Sequence, residues 1–81
     1  MERIQLEQEL MQFLKNNILA EDVNLQPESN LSQIGIDSFS IVEIILFVER
    51  KFGISIPEHQ LLPEHFQSVE AITTLLLEQK A

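Results

Sequence analysis

Apolar residues fall into three helical rhythms along this chain, separated by two stretches that have none. From Arg3 to Leu19, Leu6, Leu10, Phe13, Leu14 and Ile18 recur at steps of three and four, with Glu7, Glu9, Gln12 and Lys15 on the other side. That spacing predicts a one-sided amphipathic helix. A long polar connection follows from Ala20 to Ile36, and Val23, Leu25, Leu31 and Ile34 are spaced along it as residues able to pin it to the core. The second rhythm runs from Ser38 to Phe52 and closes at Gly53, a residue suited to the left-handed position after a helix. At about 100° per residue, Ile41, Ile44, Ile45, Val48 and Phe52 gather on one side. Phe39, Val42 and Leu46 gather on another, bordered by Glu43, Glu49 and Arg50. One apolar stripe is enough for a surface helix, so the second is either covered by the long loop or left as a docking surface. Phe47 lies on neither stripe.

Beyond Gly53, Ile54-Ser55-Ile56 alternates like a strand but has no partner strand and meets Pro57, so it is read as a linker with two anchors. A short helix is expected over 58–66, with Pro57 and Pro63 suited to first helical positions and Leu61, Leu62 and Phe66 facing inward. The last helix is placed over 68–79, with Ser68 as N-cap and Val69, Ile72, Leu75 and Leu76 buried, while Glu78, Gln79 and Lys80 reach into solvent. The expected fold is all-α: a single domain over 1–81, built as a small bundle of three main helices and one short one. No internal repeat or low-complexity segment interrupts it.

The length of 81 residues leaves little room for a deep enclosed active site. Thirteen acidic residues against five basic ones give a net charge of -8, which opposes nucleic acid and stable association with anionic membranes and favours proteins with basic surfaces. No apolar run approaches the roughly 20 residues of a membrane span, and no signal peptide is evident at the start. With no cysteine there is neither a disulfide framework nor a thiolate metal site. A cytoplasmic monomer is the simplest expectation.

The chemistry concentrates at Gly35-Ile36-Asp37-Ser38-Phe39. Gly35 permits a sharp turn through positive φ, Asp37 is a good N-cap, and Ser38 falls at the first position of the second helix with its hydroxyl facing outward. A phosphodiester at that hydroxyl would lie in the favourable field of the helix's positive end. Taken alone, Asp-Ser also reads as an ordinary capping pair. Ser38 lacks the G-x-S-x-G elbow of a serine hydrolase, and neither histidine is near it in sequence. His59 and His65 are six apart and do not share a helical face, so no metal site is assigned, and Glu58 and Glu64 read as first-turn acids. Glu21 and Asp22 need no role beyond solubility. Two glycines eighteen residues apart make no phosphate cradle.

The stretch Gly35-Ile36-Asp37-Ser38-Phe39 resembles the G-x-D-S-L attachment motif of acyl carrier proteins and the related peptidyl carrier proteins. The order of elements resembles theirs over essentially the whole chain: amphipathic helix, long polar loop, motif opening a helix, Phe52-Gly53, Ile56-Pro57, short helix, last helix. The resemblance implies that Ser38 accepts 4'-phosphopantetheine from coenzyme A through a separate phosphopantetheinyl transferase, with Asp37 completing the motif. It implies a carrier without catalysis of its own, holding an acyl or aminoacyl group as a thioester. Its partners would be a loading enzyme and a downstream synthase, transferase or thioesterase, in fatty acid, polyketide or nonribosomal peptide biosynthesis. The second helix is the recognition element in such proteins, which points to Phe39, Val42, Glu43, Leu46 and Glu49 as partner-binding residues. Phe39 in place of leucine, Ser40 in place of an acid, Arg50-Lys51 within the expected acidic run and a long Leu61 to Phe66 connector depart from the general fatty acid carrier. The Leu61 to Phe66 connector is similar to that of free-standing carriers of dedicated pathways, some of which load amino acids. The competing reading is an unmodified helical adaptor that docks through the same Phe39, Val42 and Leu46 face.

Overall fold

Leucines four residues apart set the first helix against the last. The computed structural model describes residues 3–19 and 22–80, the Lys80 side chain excepted; Ala20 and Glu21, assigned to the loop, lie outside the described residues. Helix α1 spans Arg3–Asn17 and buries Leu6, Leu10 and Leu14 completely. It lies against α3, Val69–Lys80, whose Val69, Ile72, Leu75 and Leu76 are all sealed from solvent. Each such side chain contributes about 1.5–3 kcal/mol relative to exposure. Helix α1 stops two residues short of the expected Leu19. The amides of Ile18 and Leu19 both donate to the Leu14 carbonyl, at 3.0 and 2.8 Å, and the Asn17 side chain donates to the Phe13 carbonyl at 3.0 Å. These bonds close the last turn by satisfying carbonyls that would otherwise be orphaned.

Helix α2 occupies Ser38–Phe52 and ends on Gly53, whose φ of 66° is the left-handed conformation that a side chain would strain. Ile44 and Val48 are fully buried, while Ile41, Ile45 and Phe52 are half-buried against the same core. Phe47 stacks on Phe13 of α1 with ring centroids 4.2 Å apart and meets Phe52 edge-on at 5.9 Å. This residue, on neither stripe of the helical wheel, belongs to an aromatic seam between α1 and α2.

The loop before α2 is more ordered than its polarity indicated. A 3₁₀ turn covers Leu31–Ile34, capped by Asn30, whose side-chain oxygen accepts from the Ser32 and Gln33 amides at 3.1 and 3.3 Å. Leu25, Leu31 and Ile36 are buried, with Val23 and Ile34 half-buried, so the segment is pinned by its apolar residues as expected. Two long-range backbone bonds fasten it further: the Leu31 amide donates to the Gln67 carbonyl and the Glu70 amide to the Pro27 carbonyl, both at 2.8 Å. The position from which α2 departs is thus set by the start of α3.

Ile54 and Ile56 are both buried, as their reading as anchors requires. The expected short helix over 58–66 is instead two separate 3₁₀ turns, Glu58–Gln60 and Pro63–Phe66. Leu62 between them is extended at φ -104°, ψ 145°, as a residue before proline prefers. Pro57 caps the first of these turns and only Pro63 takes a first helical position. Phe66 is buried, but Leu61 and Leu62 are 39% and 43% exposed, so two of the three expected inward contacts face out. Ser68 caps α3 by accepting from the Ala71 amide at 3.0 Å. Near the other end, Gln79 is half-buried and bonds to Gln60 and the Leu75 carbonyl rather than reaching into solvent. Thr73 is fully buried, and its hydroxyl has no hydrogen-bond partner among the described residues. The architecture is three α-helices joined by 3₁₀ turns, with no strand among the described residues, and no described helix is long and apolar enough to cross a membrane.

Candidate functional site

The start of α2 gathers a cap, an exposed hydroxyl and a groove. Gly35 takes φ 105° at the end of the loop's 3₁₀ turn, and its amide and that of Ile36 both donate to the Leu31 carbonyl. That tight return delivers Asp37 to the N-cap position, where its carboxylate accepts from the Ser40 amide at 2.9 Å. The Ser40 amide bond holds the Asp37 carboxyl below the usual carboxylate range, because it stabilises the charged form. Ser38 is the first residue of α2 and is exposed. Its hydroxyl therefore sits at the positive end of the helix, open to an incoming reagent.

Beside Ser38 runs a groove of about 650 Å³ whose other wall is the connector before α3. Ile41, Ile45, Leu61, Leu62 and Phe66 give it an apolar lining, and Asn30, Ser32 and Gln67 give it polar edges. The stitching of the loop to Gln67 and Glu70 brings these edges together. Sequence spacing did not reveal this groove; the legible signal was Asn30-x-Ser32 before Gly35, a capping pattern that marks the loop's 3₁₀ turn.

Next to the groove, the second stripe of α2 is bare: Phe39 is 73%, Val42 52% and Leu46 45% exposed. The long loop does not cover it. Glu49 and Arg50 are exposed along its far half and Glu43 is half-buried beside it. The predicted partner-binding residues thus share one surface, which adjoins Asp37 and Ser38 at its upper end. His59 is exposed and His65 half-buried on the separate 3₁₀ turns, and among the described residues no group of three metal-ligating side chains converges.

The capped start of α2 presents an exposed serine, and the sequence profile described as the phosphopantetheine attachment site matches residues 6–76. This chain belongs to that family of carrier proteins. Aminoacyl carrier protein 2 of Bradyrhizobium diazoefficiens is 39% identical over 66 residues, covering 82% of this chain and 72% of the relative. The acyl carrier protein of Coprothermobacter proteolyticus is 36% identical over 62 residues, covering 75% and 76%. A carrier protein chain in the crystal structure of Bradyrhizobium japonicum glycine:[carrier protein] ligase, complexed with its cognate carrier and an analogue of glycyl adenylate, superposes with a TM-score of 0.74. It is 30% identical, with 94% of this chain and 96% of that chain covered. Carrier function and a covalently attached phosphopantetheine follow from this membership. The residues at the head of α2 fit such a group: the hydroxyl is accessible, the helix end favours a phosphodiester, and the adjoining groove has both polar edges and an apolar lining.

Proposed function

We propose that Ser38 is the residue that bears the phosphopantetheine and that residues 1–81 act as one carrier domain for an aminoacyl group in a dedicated biosynthetic pathway. The observation that carries this reading is the exposure of Ser38 where the capped start of α2, the groove and the bare stripe meet. When attached, the group supplies a thiol that holds the cargo as a thioester. The chain's own residues do the rest by placement. Asp37 fixes the turn that holds the Ser38 hydroxyl outward, and the helix's positive end favours the negative charge of the linkage. Phe39, Val42 and Leu46 offer the apolar centre of a docking site, with Glu43 and Glu49 as charged groups at its rim. Contacts of this small, partly charged kind release readily, as a carrier serving successive enzymes needs.

The aminoacyl assignment is supported by the resemblance to the Bradyrhizobium aminoacyl carrier and to the carrier of the glycine ligase. The loading enzyme we propose is an amino acid:[carrier protein] ligase that works through an adenylate, following modification by a phosphopantetheinyl transferase. The chain itself performs no catalysis in this scheme and works in the cytoplasm as a monomer.

The chain's lack of cysteine gives a direct test. Incubation with a promiscuous phosphopantetheinyl transferase and coenzyme A should create one thiol, read by a maleimide dye and by an intact-mass increase of one phosphopantetheine. The Ser38→Ala variant should remain unlabelled; labelling that persists places the attachment elsewhere. No labelling of the folded wild type, with partner binding retained, is the outcome expected of an unmodified adaptor.

A further inference from the structure

A second concavity lies at the other end of α2, away from Ser38. Phe13, Phe47 and Leu46 form its apolar lining, and Glu43, Arg50 and Lys51 stand at its edges, around a space of about 430 Å³. The rings of Phe13 and Phe47 are stacked, and Phe47 also packs edge-on against Phe52. The two cations are not equivalent. Lys51 bonds to Glu9 of α1 at 3.2 Å, whereas Arg50 is exposed and has no carboxylate partner among the described residues. Arg50 is thus an exposed guanidinium without an ion-pair partner among the described residues, beside an apolar cleft on a chain whose net charge is -8. Leu46 belongs both to this cleft and to the bare stripe, so the two form one continuous surface.

We propose that this cleft receives an apolar side chain of the loading ligase with a neighbouring carboxylate that pairs with Arg50. The inference rests on the docking reading above and deepens it. The carrier's footprint then carries both signs side by side: Glu43 and Glu49 can attract basic groups of the ligase, and Arg50 attracts an acidic one on the same half of the helix. Such a pattern selects among partners, because a face carrying only basic groups would set a like charge against Arg50. A planar guanidinium suits this role, since it can pair with a carboxylate through two parallel bonds.

The test uses the phosphopantetheine-bearing form and the B. japonicum glycine:[carrier protein] ligase, with binding measured by calorimetry. Arg50→Glu should weaken binding about fivefold, in the range of an exposed ion pair, and the difference should shrink as NaCl rises from about 0.05 M to about 0.5 M. Glu49→Lys serves as the opposite-sign control. If Arg50→Glu leaves affinity unchanged or strengthens it while Glu49→Lys weakens it, no carboxylate of the ligase pairs with Arg50 and the inference fails, with the docking reading intact. If the folded wild type does not bind the ligase at all, the choice of this ligase class fails and the inference with it. Unaltered circular dichroism and thermal unfolding of Arg50→Glu separate a binding effect from misfolding.

Discussion

Ile44 and Val48 on one side of α2 are fully buried, while Phe39, Val42 and Leu46 on another stand 73%, 52% and 45% exposed. Both sides are built from large apolar residues on one 15-residue helix. The difference lies in what the rest of the chain supplies. The leucines of α1 and α3 close over the first side, whereas the loop that precedes α2 is fastened to Gln67 and Glu70 and passes elsewhere. Hydrophobicity therefore identifies surfaces that gain from being covered, and topology decides which of them the molecule covers itself.

The contrast can be broken most strongly from the sealed side. Ile44→Ala should lower unfolding free energy by about 2–5 kcal/mol, the usual range for truncating a large core residue, as read from urea denaturation. A smaller effect of opposite sign is expected at Thr73, whose buried hydroxyl has no partner. Thr73→Val should raise stability by about 1 kcal/mol, because it removes an uncompensated polar group at nearly constant shape. The cap at the head of α2 should respond to pH. The carboxyl of Asp37 titrates below the ordinary carboxylate value, so its contribution is present at neutral pH and fades as acid protonates it. Asp37→Asn retains a good capping residue without the charge. The stability difference between wild type and this variant should therefore be larger at neutral pH than in strong acid. On the bare side, Phe39→Asp or Leu46→Asp should change stability by no more than about 0.5 kcal/mol while weakening partner binding. A large loss of melting temperature in both would mean that the stripe is covered after all.

How far the sequence could be read follows the same division. The buried stripes of all three helices were legible because Leu6, Leu10 and Leu14, Ile44 and Val48, and Ile72, Leu75 and Leu76 repeat with the helical period over many residues. Ser38 and Asp37 were legible because capping is local chemistry. Leu61 and Leu62 were misread, since in two short 3₁₀ turns separated by an extended residue no period persists long enough to assign a face. Leu31–Ile34 was passed over for a similar reason. Phe47 could not be explained from α2 alone, because its stacking partner sits thirty-four positions earlier on α1. The groove beside Ser38 was hidden more deeply, as its two walls come from segments brought together by the long-range bonds from Leu31 to Gln67 and from Glu70 to Pro27.

Those two backbone bonds also join segments that lie far apart in the order of synthesis. Residues 35–39 are made before Gln67 and Glu70, and until those later residues arrive the turn ahead of Ser38 has its local bonds but not the long-range ones. In a nascent chain the groove beside the serine proposed as the attachment point would thus take its full shape only once translation has passed residue 70.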